Sequence, residues 1–307
     1  MADIVIGTRG SPLALWQAKW VKASIEKERP GISVELLPIK TTGDKILDTP
    51  LAKVGGKGLF VKEIEEALFD NRAHIAVHSM KDVPTDLPEG LEISVILERE
   101  DPRDALIARE VDSFESIPQN GKVGTSSLRR QAQILYARPD LEIVPLRGNI
   151  GTRIGKLKSE NLDAIILAAA GLKRMEQESL VTQYLSHSLS LPAVAQGAIG
   201  IESRVGDEKT LSLIRFLNDT STAMVVEAER AFLKRLEGGC QVPIAAHAIL
   251  EGDKISLTGL VGAIDGSVLH RDVAFGNVDG RESVGVGLAE KLLAAGAGEI
   301  LREAYGD

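Results

Sequence analysis

Ile4-Val5-Ile6-Gly7-Thr8-Arg9-Gly10-Ser11-Pro12-Leu13 sets the reading of the first half of the chain. Ile4–Ile6 is an apolar run that reads as a strand, and the glycines beyond it read as a turn. Ser11 is a favoured N-cap and Pro12 suits the first helical position, so a helix is expected over Leu13–Lys27. The same rhythm continues with strands at Ser33–Ile39, Ile75–His78, Glu92–Leu97 and Ala105–Ala108, and a helix at Leu59–Phe69. The charged stretch Glu98–Arg103 marks a first crossing between domains. A second cycle has strands at Lys122–Gly124, Leu141–Leu146 and Ala164–Leu167, with helices at Ser127–Ala137 and Ile150–Lys158. This βαβα order predicts two α/β domains of mostly parallel, doubly wound sheets with helices on both faces.

Further on, Ile199–Glu202 reads as one more strand, with helices near Glu208–Leu217 and Thr222–Leu236. After Cys240 the pattern becomes alternating: Ile244–Leu250, Ile255–Val261 and Ser267–Phe275, then a helix over Ser283–Ala295. That predicts a small α+β domain with an antiparallel sheet. The expected domains are residues 1–97 with 198–217, residues 103–192, and residues 220–307. Ile6-Gly7-Thr8-Arg9-Gly10-Ser11 is echoed by Val123-Gly124-Thr125-Ser126-Ser127, each between a strand and a helix. Shared turn chemistry explains the echo as well as two related domains do, each aiming a helix N-terminus at an anion.

The chain has 307 residues, 44% of them apolar and 26% charged, enough for two or three cores at about 150 residues per domain. A net charge of −8 and only 11 aromatic residues argue against a general nucleic-acid binder. The longest apolar or Gly run, Ala164–Leu172, is nine residues, well short of a membrane span. Asp3 and Arg9 interrupt the amino terminus, so no secretory signal peptide is drawn there and a cytoplasmic protein is expected; a monomer is expected as well. A single cysteine, Cys240, excludes internal disulfides and cysteine-cluster metal sites, and five scattered histidines lack metal spacing.

Residues 121–158 reverse the charge of the chain. Eight Lys and Arg face only Asp140 and Glu142, a net +6 that leaves −14 for the remainder. A solvated helix face would also be basic. Here, however, arginines sit beside Gly and Ser turns: Ser126-Ser127-Leu128-Arg129-Arg130 and Arg147-Gly148-Asn149-Ile150-Gly151-Thr152-Arg153. Arginine pairs carboxylate or phosphate in a planar, bidentate way, so the pattern describes a pocket for a small polyanion. No nucleotide-binding glycine motif accompanies it.

His78-Ser79-Met80-Lys81-Asp82-Val83-Pro84 follows directly on a strand, which places Lys81 and Asp82 where α/β sheets bind ligands. A surface Lys–Asp pair before a turn is the plainer reading, and His78 reads as core or as support behind the site. Thr41-Thr42-Gly43-Asp44 through Lys53-Val54-Gly55-Gly56-Lys57-Gly58 is a long connection that fits a lid with glycine hinges. Gly238-Gly239-Cys240-Gln241-Val242-Pro243 puts the cysteine on a turn. A lone cysteine is more often an inert small core residue, but the flanking glycines and proline argue against burial in a helix or strand and shift the reading toward a reactive thiol.

Together these motifs resemble the porphobilinogen deaminase family, along with Leu191-Pro192-Ala193-Val194-Ala195-Gln196-Gly197. They recur in the family's order over nearly the whole chain. The sequence departs at Ala195, where the family usually has glycine, and matches least well beyond the Cys240 turn.

The resemblance implies two periplasmic-binding-protein-like domains around a cleft and a small C-terminal α+β domain. It implies a dipyrromethane cofactor joined to Cys240 by a thioether, and head-to-tail condensation of four porphobilinogen molecules with loss of ammonia to give hydroxymethylbilane. Asp82 would be the catalytic acid–base. Arg9, Arg129, Arg130, Arg147, Arg153 and Arg174 would pair the pyrrole carboxylates, and Ser11, Gln17, Lys81, Thr125, Ser126, Ser127, Gly148 and Gln196 would add contacts. Asp44, Lys53 and Lys57 would belong to the lid. Arginine stays protonated, and so does not trap the carbon electrophile left by loss of ammonia. A non-catalytic hinged-cleft binder of a small polycarboxylate explains the fold and the arginines, but not Cys240 on its turn. A phosphate-ester enzyme lacks both a phosphate loop and metal ligands.

Overall fold

The computed structural model describes residues 2–45, 61–238 and 242–305. Its strands are β1 (Ile4–Arg9), β2 (Val34–Ile39), β3 (Ile75–Ser79), β4 (Leu91–Ile96), β5 (Asp104–Ala108), β6 (Lys122–Gly124) and β7 (Glu142–Val144). They continue with β8 (Ala164–Ala168), β9 (Gln183–Tyr184), β10 (Ile199–Arg204), β11 (Ile244–Glu251), β12 (Lys254–Gly262) and β13 (Leu269–Asn277). The helices are α1 (Pro12–Glu28), α2 (Thr42–Lys45), α3 (Lys62–Phe69), α4 (Leu128–Ala137) and α5 (Ile150–Ser159). After them come α6 (Ala169–Arg174), α7 (Glu208–Ile214), α8 (Thr220–Arg235), α9 (Arg281–Leu292) and α10 (Gly298–Tyr305).

The chain divides into two compact units, residues 1–99 with 198–223 and residues 100–197 with 224–307. The first holds a sheet of order β2-β1-β3-β10-β4, in which β2, β1 and β3 are parallel and β10 runs antiparallel to both β3 and β4. The second holds a sheet of order β7-β6-β8-β5-β9 with the same alternation, β7, β6 and β8 parallel and β5 antiparallel to β8 and β9. The expected α/β architecture is present, with both sheets mixed rather than mostly parallel. The reversed strands, β5 and β10, are each the first strand after the chain passes from one unit to the other. In this matching order β1 and β6 occupy equivalent places, so the Gly7-Thr8 and Gly124-Thr125 turns are equivalent too. That favours related domains over chance turn chemistry.

In the first unit α1 covers one face of the sheet, burying Ala18, Val21 and Ile25 with Ile6, Val77 and Ile201. Helix α3 covers the other through Ile64, Ala67 and Leu68 against Ala76. Gly7 permits this approach, since a Cβ there would lie 3.2 Å from Ile64 Cγ2. In the second unit Ile150, Ile154 and Leu157 of α5 and Ile134 of α4 fill two further cores around β5 and β8. The antiparallel sheet β11-β12-β13 belongs to this unit as well. The ring of Phe232 in α8 is fully buried, and a Cβ at Gly259 would lie 2.7 Å from it.

Three elements differ from the sequence reading. Ser127 caps α4 rather than starting it, its side chain accepting from the Arg130 N–H. The strand expected over Leu141–Leu146 is only three residues long. The last helix breaks at Gly296, with φ +107°, and α10 follows. Among the described residues no helix is long and apolar enough to cross a membrane.

Candidate functional site

In the first unit the parallel strands end at a depression of about 70 Å³ lined by Arg9, Ser11, Gln17, His78, Ser79 and Asp82. Ser11 stands at the N-terminus of α1, where its side chain accepts from the Ala14 N–H. Gln17 is buried, and its Nε2 donates to Ser79 Oγ at 3.0 Å. Asp82 lies not on the strand but in a 3₁₀ turn, Met80–Asp82. That turn is pinned by the Met80 N–H to the Ala198 carbonyl at 3.0 Å and by the Met80 side chain seated on Gly200, where no Cβ would fit. Lys81 and Asp82 are half-buried.

Behind this turn, on the face covered by α3, His78 Nε2 lies 2.9 Å from Glu202 Oε2. The His78 and Glu202 side chains are 5% and 0% exposed. His78 thus supports the site from within, one of the two roles the sequence allowed it.

In the second unit the basic segment converges on Asp104, the first residue of β5 and fully buried. Arg129 reaches both carboxylate oxygens at 2.8 and 3.2 Å, and Arg130 donates to Oδ1 at 2.7 Å. Ser190 Oγ and Gln196 Nε2 add donations at 2.7 and 2.9 Å. Burial alone would raise the Asp104 carboxyl, but Arg129 and then Arg130 hold it far below the usual carboxylate range. Two guanidiniums on one carboxylate leave an excess positive charge, and among the described residues Arg130 Nε has no acceptor. Arg174 is also buried and donates to the Gly197 carbonyl at 2.6 Å. Burial lowers its guanidinium to about 10, which leaves it cationic at neutral pH.

The serines and threonine of the β6–α4 turn shape its backbone. Thr125 Oγ1 accepts from the Ser127 N–H at 3.2 Å, and Ser126 Oγ closes a reciprocal pair with Leu146 at 3.0 and 2.9 Å. Arg147 is half-buried. Gly148 has φ +112°, and its carbonyl accepts from Arg153 Nε at 2.8 Å, drawing that arginine back over the turn. Cys240, Lys53 and Lys57 lie outside the described residues; Asp44 lies in α2.

Sequence reasoning missed Asp104 and Glu202. The available signal was a lone acid adjoining an apolar run, Asp104 before Ala105–Ala108 and Glu202 after Ile199–Ile201. A buried carboxylate needs cationic or hydrogen-bonding partners, which here come from segments distant in sequence.

The sheet of the first unit ends at a depression that carries Asp82 and Arg9, and the second unit holds buried arginines gathered on Asp104. Residues 4–212 match the family model "Porphobilinogen deaminase, dipyromethane cofactor binding domain", and residues 223–294 match the model of the C-terminal domain of the same proteins. The chain belongs to the porphobilinogen deaminase family. The Porphobilinogen deaminase of Geobacter metallireducens is 60% identical over 98% of this chain and 94% of its own length. That of Syntrophotalea carbinolica is 58% identical over 96% and 94%. Among solved structures, the unliganded open L-cystine solute receptor of Neisseria gonorrhoeae has a TM-score of 0.40 at 13% identity, covering 70% of this chain and 84% of that one.

Proposed function

We propose that the chain is a cytoplasmic tetrapyrrole-biosynthesis enzyme that joins porphobilinogen units head to tail onto a primer anchored at Cys240, releasing ammonia and finally hydroxymethylbilane. The observation that carries this reading is the depression at the end of β3, where Asp82 sits with Arg9 and the capped N-terminus of α1. An acid–base group beside a guanidinium and helix N–H donors suits a substrate that carries carboxylates and loses an amine.

The donor set in the second unit fits a dipyrromethane bearing several carboxylates. Arg129 and Arg130 hold more positive charge than Asp104 neutralises, and Arg130 Nε is free of any described acceptor. Arg147, Arg153 and Arg174 would extend that field, with Thr125, Ser126, Ser127 and Gln196 fixing orientation; Lys81 would add a cation next to Asp82 in the first unit. When bound, the dipyrromethane supplies the pyrrole carbon to which new units are joined. A thiol at Cys240 is the natural nucleophile for a thioether anchor in a third, C-terminal domain, and that bond survives a reducing compartment. Asp82 stabilises the cation left by departing ammonia and accepts the proton released when the new carbon–carbon bond forms.

Incubation of the purified chain with porphobilinogen tests this directly. The expected result is four ammonia molecules per hydroxymethylbilane formed; porphobilinogen bound but left unchanged would favour a binding protein instead.

A further inference from the structure

Three buried ionisable side chains from three elements lie on one face of the first unit's sheet, beneath the Asp82 depression. In the β3–β10 register Gly200 lies opposite His78 and Glu202 opposite Ala76, so His78 and Glu202 are diagonal neighbours on one face of the sheet. Helix α3 packs on that face and brings Glu65, which is 8% exposed. His78 is the member that also lines the depression. Its Nε2 is engaged by Glu202 Oε2, while Glu202 Oε1 is buried with no partner among the described residues.

The mechanism above gives these groups no task, yet two carboxylates and one imidazole in a dry interior carry a clear constraint. Fully ionised, they would leave a net negative charge out of water, which disfavours a charged Glu65 carboxylate. Burial, followed by the nearby Glu202 charge, raises the Glu65 carboxyl to about 7. Glu66 on the same helix pushes in the same direction and His78 opposes it. Toward the mouth the charged neighbours are Arg9 and Asp82. Farther along β10, Arg204 is committed to Asp207 and to the carbonyls of Leu68 and Ala73.

We propose that His78, Glu202 and Glu65 form a proton store behind Asp82, with His78 as the positioning residue that links the store to the depression. The proposal rests on the porphobilinogen-joining reading. In that reaction the substrate's ammonium loses ammonia, the C–N electron pair leaving with nitrogen. The pyrrole π electrons form the new C–C bond, and the C–H pair returns to the ring as a proton is released. That proton ends on the departed ammonia as ammonium, so each addition leaves the store as it was. Between the two events Asp82 must hold or pass on a proton. A store that exchanges one near neutrality keeps Asp82 in the correct state for the next addition.

Infrared titration of the resting chain provides a test that needs no turnover. The expected result is a protonated-carboxyl band that disappears near neutrality and is absent in Glu65→Gln. Kinetics supply the second readout. Glu202→Gln is expected to lower kcat about tenfold or more while KM changes less than about threefold, and Glu65→Gln to erase the neutral step in the kcat–pH profile. A purely structural cluster would change stability and leave both profiles as in the wild type, and that result overturns the proposal. The absence of a titrating carboxyl band in the wild-type chain overturns it too, even if both variants fail to fold. A wild-type chain that consumes no porphobilinogen would instead sink the activity reading, with the infrared result still deciding the store.

Discussion

Asp82 and Asp104 are both carboxylates at strand ends of matching sheets, and they are held in opposite ways. Asp82 is half-buried in a 3₁₀ turn and faces a depression. Asp104 is fully buried and receives donors from Arg129, Arg130, Ser190 and Gln196. A carboxylate saturated with donors cannot exchange protons near neutral pH, but it can fix the guanidiniums around it. The difference divides the labour. In the proposed mechanism the first unit keeps its carboxylate available for chemistry, while the second uses one to orient positive charge.

The largest expected effect that would sharpen this contrast is at Asp82. Asp82→Asn retains size without charge or proton, so it should fold normally and lose at least about a hundredfold in turnover. Near-normal steady-state rates would remove Asp82 from the chemistry. Asp104→Asn should act on structure instead. It leaves two buried guanidiniums short of a counter-charge and is expected to cost about 3–5 kcal/mol in denaturant unfolding, with loss of the covalent mass addition. Wild-type stability in that variant would break the comparison.

A smaller, pH-dependent effect is expected at Glu65. Burial and the Glu202 charge raise its carboxyl from the ordinary glutamate range to about 7, so the folded state binds the proton more tightly than the unfolded chain. The stability this confers is full below the unfolded value and is lost as pH rises through about 7. Glu65→Gln should remove roughly 1–3 kcal/mol of that loss, measured as the difference between unfolding at acidic and alkaline pH. Equal pH dependence in the two proteins would show the carboxyl to be unshifted. The smallest effect is at Ala195, whose φ is +58° and whose N–H donates to Glu229 Oε2 at 2.7 Å. Ala195→Gly should relieve left-handed strain and stabilise the chain by about 0.5–1 kcal/mol, with the activity retained.

Much of this was legible in the sequence because it is local. Ser11-Pro12 and Ser127 announced helix starts, and the switch to period-two alternation after Cys240 announced the antiparallel sheet. His78 through Asp82 and the arginine-bearing turns were marked by residue type alone. What stayed hidden depends on pairing between distant segments. Nothing near Asp104 indicates that Arg129, 25 residues on, will meet it. Nothing near His78 points to Glu202, 124 residues away. The reversal of β5 and β10 was hidden for the same reason, since strand direction follows from how the chain enters each unit after a crossing.

The intact mass of the purified chain, before and after loading with porphobilinogen, tests the central claim most directly. The native chain is expected to exceed its sequence mass by two linked pyrrole units, to lose that addition in Cys240→Ser, and to gain one pyrrole unit per step on loading. A fully active chain at its bare sequence mass, with no ladder, would contradict the primer mechanism.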